Sequence, residues 1–313
     1  MQPRNAQRPA TSLHADGDNT MILADGRCLC WQNFGEAGGY PVLALHGTPG
    51  SRLKFELAHG AAERAGLRLI SPDRWGYGRS DAPARPDLST FADDMAALLD
   101  ENGVERCAVV GISGGGPFAT AVAARLADRI SALALVAPVG PLAEPGDLDG
   151  VSLFHRFAFR VLPHVPGGIA TAFGVLGLAL RAGPAVAIGL MAARAGRADW
   201  SVMADRDVRD HLARTFRAGL APGVGGTVID MRLFARPWTI SPALVRASTC
   251  LWLGSEDRNV PRAAALRLAC AIGDAEVRHL PGAGHFWVTA HFQEVLEWLA
   301  RTITVREGVR DGQ

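Results

Sequence analysis

The sequence has almost no net charge: 32 Lys and Arg stand against 31 Asp and Glu, a formal +1. So close a balance supplies no field for attracting nucleic acid or another polyion. Cysteine is scarce and odd in number, with Cys28, Cys30, Cys107, Cys250 and Cys270 scattered through apolar stretches. Cys28 and Cys30 share one face of an expected strand, too close along it for an ordinary bridge. The pattern excludes a disulfide framework and predicts five reduced core thiols, which suits the cytoplasm. The first 19 residues lack the apolar stretch of a signal peptide and, rich in Gln, Arg, Pro and Asp, predict a disordered lead. A membrane span is also missing. Val165 to Ala195 is rich in Gly, Ala and Leu, but Arg181 and Gly183-Pro184 divide it into pieces shorter than the ~18–20 residues a span requires. A pair of buried or cap helices is predicted there instead. No internal repeat or long low-complexity linker is present.

What the sequence does have is 48% hydrophobic residues in a chain of 313, enough for one large α/β unit with an insertion. Thr20–Leu23 and Arg27–Gln32, joined by Ala24-Asp25-Gly26, predict a hairpin. Largely apolar strands are expected at Pro41–Leu45, Leu67–Ser71, Cys107–Ile112, Ala132–Ala137 and Thr249–Leu253, with a further strand at Glu276–Leu280. Helices are expected at Thr90–Asn102, Pro117–Ala127, Ala263–Ile272 and Phe292–Thr302. Apolar strands alternating with helices predict a mostly parallel sheet covered on both faces. From about Gly140 to Pro237 the strand signal gives way to helical pieces punctuated by Gly and Pro. That stretch reads as a helical insertion placed to roof a crevice at the carboxyl edge of the sheet.

The sharpest chemical signal is Gly111-Ile112-Ser113-Gly114-Gly115, a G-x-S-x-G turn between an apolar strand and a helix. Side chains at Gly111 and Gly115 would clash in so tight a turn, and the helix that follows aims its N-terminal N–H groups at the site. Such a serine needs a base. Of the nine histidines, His285 follows the last expected strand on the loop Pro281-Gly282-Ala283-Gly284, at the sheet edge where Ser113 must also lie. His46 is assigned a structural turn role. Glu256 and Asp257, at the end of another strand, both qualify as the orienting carboxylate, and Asp257 is preferred by its place in the motif. Phe154, Phe157, Phe159, Phe173, Leu176 and Met191 predict an apolar roof in the insertion.

Taken together, His46-Gly47-Thr48-Pro49-Gly50, Asp73-Arg74-Trp75-Gly76-Tyr77-Gly78-Arg79-Ser80, the Ser113 turn, the Asp257 turn and Gly284-His285 resemble the α/β-hydrolase superfamily, in order from about Asn19 to Thr302. The resemblance implies an α/β-hydrolase fold, with a mostly parallel eight-stranded sheet, helices on both faces and a helical cap. It implies a Ser113–His285–Asp257 triad, with the backbone N–H groups of Thr48 and Gly114 as oxyanion donors. Ser at 113 disfavours relatives that use an aspartate nucleophile. Thr48 and Gly-Ile-Ser-Gly-Gly depart from the proline iminopeptidase pattern, which weakens a peptidase reading.

The expected division is a lead at 1–19, a core at 20–139 and 238–304, a cap at 140–237 and a flexible tail at 305–313. The expected activity is hydrolysis of an ester or lactone of a small, fairly hydrophobic molecule, without cofactor or metal. Other bonds remain open: a C–C bond, an amide or peptide, or a biosynthetic acyl transfer or cyclisation. So does a non-hydrolytic ligand-binding role. Expected partners are a small-molecule substrate and, at most, a second copy of the chain.

Overall fold

The computed structural model describes residues 12–13, 17–142, 148 and 151–310. Among the described residues nine strands form one sheet: β1 Ser12–Leu13, β2 Asp18–Ile22, β3 Cys28–Gly35, β4 Tyr40–Leu45, β5 Leu67–Pro72, β6 Cys107–Ile112, β7 Ile130–Val136, β8 Ser248–Gly254 and β9 Glu276–Leu280. Their order is β1-β2-β3-β5-β4-β6-β7-β8-β9. The strands from β5 to β9 pair in parallel, while β1, β2 and β3 extend one edge antiparallel. Strands β2 to β9 are the eight of the expected sheet, and the two-residue β1 lengthens its edge.

The sheet is covered on both faces because its central strands are apolar on both. In β4, Leu43 and Leu45 point into one core while Val42 and Ala44 point into the other, and all four are fully buried. Side chains of this kind each contribute ~1.5–3 kcal/mol on burial. The first core packs under α2 Leu88–Glu101, α3 Gly116–Arg125 and α10 Arg262–Ile272; the second packs under α1 His59–Arg64 and α11 Val288–Arg310. Helix α2 shows how the sequence sets such an element. The Asp87 carboxylate accepts the Ser89 N–H, Leu88, Phe91, Ala92, Met95, Leu98 and Leu99 make its buried stripe, and Gly103 at φ +64° turns the chain out of it.

Between β7 and β8 lie α4 Leu153–Arg160, α5 Gly168–Ala182, α6 Pro184–Ala195, α7 Arg197–Met203, α8 Arg206–Gly219 and α9 Gly225–Phe234, with no strand among the described residues. The expected helix pair is α5 and α6, broken at Gly183. Leu180, Ile188, Met203, Leu212 and Phe216 give these helices an apolar cluster of their own. Among the described residues, no helix is long and apolar enough to cross a membrane.

Three expectations shift. Most of the 1–19 lead lies outside the described residues, but Asp18 and Asn19 already belong to β2, where Asp18 is buried against Arg52. Helix α11 continues to Arg310, past the expected start of a tail, and residues 311–313 lie outside the description. All five cysteines are free, but only Cys30, Cys107 and Cys250 are core residues. Cys28 is half-buried at the sheet edge, and Cys270 is exposed on the outer face of α10.

Candidate active site

Every sequence-derived candidate sits at the carboxyl edge of the parallel strands. The chain reverses its direction of travel across the sheet at β4, which lies between β5 and β6, and this opens a crevice above β4 and β6. Ser113 follows β6 and begins the short turn into α3, with a left-handed backbone at φ +54°. A non-glycine residue in that region is strained, and the surroundings hold it there. A Cβ at Gly111 would come within 2.5 Å of the Ala119 Cβ, and one at Gly115 would collide with the Leu45 carbonyl oxygen. Those two glycines let β4, β6 and α3 meet closely enough to force the turn.

Thr48 follows β4 through His46 and Gly47. His46 is fully buried, and its Nε2 accepts the Arg74 backbone N–H at 3.0 Å. Nδ1 therefore carries the proton and donates to the Gly47 carbonyl at 2.8 Å. Burial, and then the Arg74 charge, hold this imidazole well below the usual histidine range, so it stays neutral. The Arg74 guanidinium also donates to the His46 and Gly47 carbonyls and to Thr48 Oγ1, at 3.0 to 3.1 Å. Behind it, Asp230 from α9 accepts from Arg74 at 2.7 and 2.8 Å, from Tyr77 at 2.7 Å and from Thr48 Oγ1 at 2.5 Å. The Asp73–Ser80 motif thus folds its own loop, with Asp73 accepting the Arg52 and Arg79 N–H groups, and also braces the Thr48 turn. Gly114 packs so tightly on Thr48 that a Cβ there would collide with the threonine hydroxyl.

Asp257 and His285 follow β8 and β9. Asp257 Oδ2 lies 2.8 Å from His285 Nδ1. Its other oxygen accepts the N–H groups of Asn259 and Val260 at 2.8 and 3.1 Å, so the carboxylate is held at both ends. Because an ionised carboxylate only accepts, His285 Nδ1 is the protonated nitrogen and Nε2 is left with its lone pair. Glu256, the competing candidate, is exposed. Among the described residues no hydrogen bond joins Ser113 Oγ to His285, although both line the same cavity; such contacts often tighten only with substrate bound.

That cavity has a volume of about 540 Å³. Thr48, Ser113, Gly114 and His285 line its floor, and Phe154, Phe159, Phe173, Leu176 and Met191 of the expected roof line its upper wall. Phe157 is corrected: it lies outside the lining and 49% exposed, on the outer side of α4. His155, not singled out from the sequence, is in the lining, with Nδ1 2.8 Å from Ser152 Oγ.

Three further charged groups at the site have no motif in the sequence. Asp230 is one. Asp199, fully buried on α7, accepts the Phe286 N–H at 2.7 Å and lies against Gly284, while its Oδ2 has no partner among the described residues. Burial raises the Asp199 pKa, and the neighbouring His285 works the other way. Burial likewise disfavours the His285 imidazolium, but the Asp257 carboxylate and then the Asp199 charge outweigh it, so His285 titrates above its ordinary value. Lys54, in the turn after Gly50, lines the cavity, and burial pushes it down to about 8. Asp199 reaches the site through a contact across 87 residues, which no local pattern encodes. Among the described residues no group of three or more His, Cys, Asp or Glu is placed to hold a metal ion.

Comparison with known proteins gives a consistent picture. Residues 40–288 match a family model described as alpha/beta hydrolase fold. A non-heme chloroperoxidase of Streptomyces lividans is 34% identical over 144 residues, 43% of this chain; the chain spans 50% of that relative's length. A 2-hydroxy-6-oxo-6-phenylhexa-2,4-dienoate hydrolase of Comamonas testosteroni is 25% identical over 81% of this chain and 84% of its own. Among solved structures, an alpha/beta hydrolase fold protein from Nakamurella multipartita superposes with a TM-score of 0.64 at 26% identity, over 94% of this chain and 99% of its own.

Proposed function

The chain belongs to the alpha/beta hydrolase fold family, and on that premise we propose that it is a serine hydrolase that cleaves an ester or lactone of a small, largely apolar molecule. The observation that carries this reading is the pairing of a strained Ser113 with His285 on one cavity, while Asp257 fixes the imidazole from behind. His285 Nε2 takes the Ser113 proton as Oγ attacks the substrate carbonyl carbon. The tetrahedral oxyanion lies between the Thr48 and Gly114 N–H groups, a contact worth ~2.7–4 kcal/mol per donor. No turn or loop hydrogen bond among the described residues uses either N–H, which supports that role. Collapse breaks the bond to the leaving oxygen, which takes the proton back from His285, and leaves an acyl group on Ser113. Water, deprotonated by the same histidine, then releases the acid.

The braced Thr48 turn favours this reading, because an oxyanion site stabilises charge only if its donors do not move as charge develops. The apolar roof supports a hydrophobic acyl or alkyl group. Ser113→Ala should lower turnover of p-nitrophenyl esters by at least ~10³-fold and abolish labelling by a fluorophosphonate, with the thermal transition unchanged. Retained turnover would overturn the assignment. Cleavage of a C–C bond is a second reading, favoured by the relative that matches 81% of this chain. A panel of activated esters, lactones and diketones separates the two.

A further inference from the structure

Lys54 is a buried cation at the cavity. Its side chain is 7% exposed and lines the cavity, where it is the only Lys or Arg among the described residues. One of its three donors is used, by Thr289 Oγ1 at 3.0 Å, and its Nζ lies 5.8 Å from the centroid of the Phe292 ring. Among the described residues no carboxylate pairs with it, and its charge disfavours the protonated forms of two neighbouring histidines, His211 and His285. Burying an ammonium without a counter-charge costs free energy. Two of its three donors have no protein partner among the described residues, on the wall of a largely apolar cavity.

We propose that Lys54 is the anion-recognising group of this cavity: the substrate is a largely apolar carbonyl compound that carries one carboxylate, bound by Lys54 Nζ and Thr289 Oγ1. A carboxylate fits better than a phosphate ester because a second negative charge would meet no second Lys or Arg among the described lining residues. The inference rests on the hydrolase reading of Ser113 and narrows its substrate class from apolar esters to acidic ones.

The test compares p-nitrophenyl hydrogen glutarate with its methyl ester, which presents the same scissile bond without the charge. The native protein should favour the acid in kcat/KM, and Lys54→Met should reduce that ratio by about 10- to 100-fold, mainly through KM, as expected for loss of a charge-assisted contact. Lys54→Arg should recover part of it. An acid-to-ester ratio that Lys54→Met leaves unchanged overturns the proposal. Calorimetric titration of Ser113→Ala with 4-phenylbutyrate and 4-phenylbutanamide provides a readout without turnover. If neither ester is cleaved but the carboxylate preference disappears in Ser113→Ala/Lys54→Met, the hydrolase reading fails and Lys54 stands. If both esters are cleaved and binding shows no charge preference, Lys54 fails and the hydrolase reading stands.

Discussion

Two carboxylates compete with burial for the proton of His285, and they come from different parts of the chain. Asp257 belongs to the loop after β8, and Asp199 to α7 of the insertion. A histidine that serves as base must be neutral, so activity rises as pH passes through its pKa. Because that pKa is raised, the acid limb of kcat/KM should lie above the usual histidine range. Removing a negative neighbour lowers the pKa and moves the limb to lower pH. Asp199→Asn should do this while its amide oxygen still accepts the Phe286 N–H. Lys54, the positive neighbour, acts in the opposite sense. A pH profile that Asp199→Asn leaves in place would mean that Asp199 only shapes the loop. Ser113 and His285 were legible in the sequence because each sits beside glycines at a strand end. Asp199, Asp230 and Lys54 were not, because only the folded chain brings them to the site.

The strands were the most legible elements. β4, β6, β7 and β8 are continuous apolar runs because both of their faces are buried, and their expected limits fall within two residues of the observed ones. Their lateral order was not legible, since no residue of β5 records that it lies between β3 and β4. Helix α9 shows the same limit: its short Gly-Gly-Thr-Val-Ile-Asp segment carries no strong apolar stripe, yet it delivers Asp230 to Arg74. Both of those side chains are 1% exposed. Asp230→Ala leaves a buried guanidinium without its counter-charge and should cost about 3–5 kcal/mol, read as a lower urea midpoint at constant slope. A loss below about 1 kcal/mol would show that Arg74 finds other acceptors. The same variant should lower kcat, because Thr48 loses its brace.

The insertion is joined to the sheet through chemistry as well as packing. One of its carboxylates stands behind the Thr48 turn and another behind the His285 loop, so its orientation and the geometry of both loops are set together. Its helices are less well covered, with Leu178 and Val186, both outside the cavity lining, each more than half exposed. Amides of α5 and α6 should therefore exchange with deuterium faster than those of β4, β6 and β7, whose side chains are buried on both faces. Equal protection would mean that roof and sheet open as one unit. Cys270 has a different use. Cys30, Cys107 and Cys250 are pushed up to about 12 by burial, and Cys28 is raised as well, whereas Cys270 stands in solvent on α10. A maleimide dye should attach there in one-to-one stoichiometry, giving the protein a ready-made fluorescent handle outside the cavity lining.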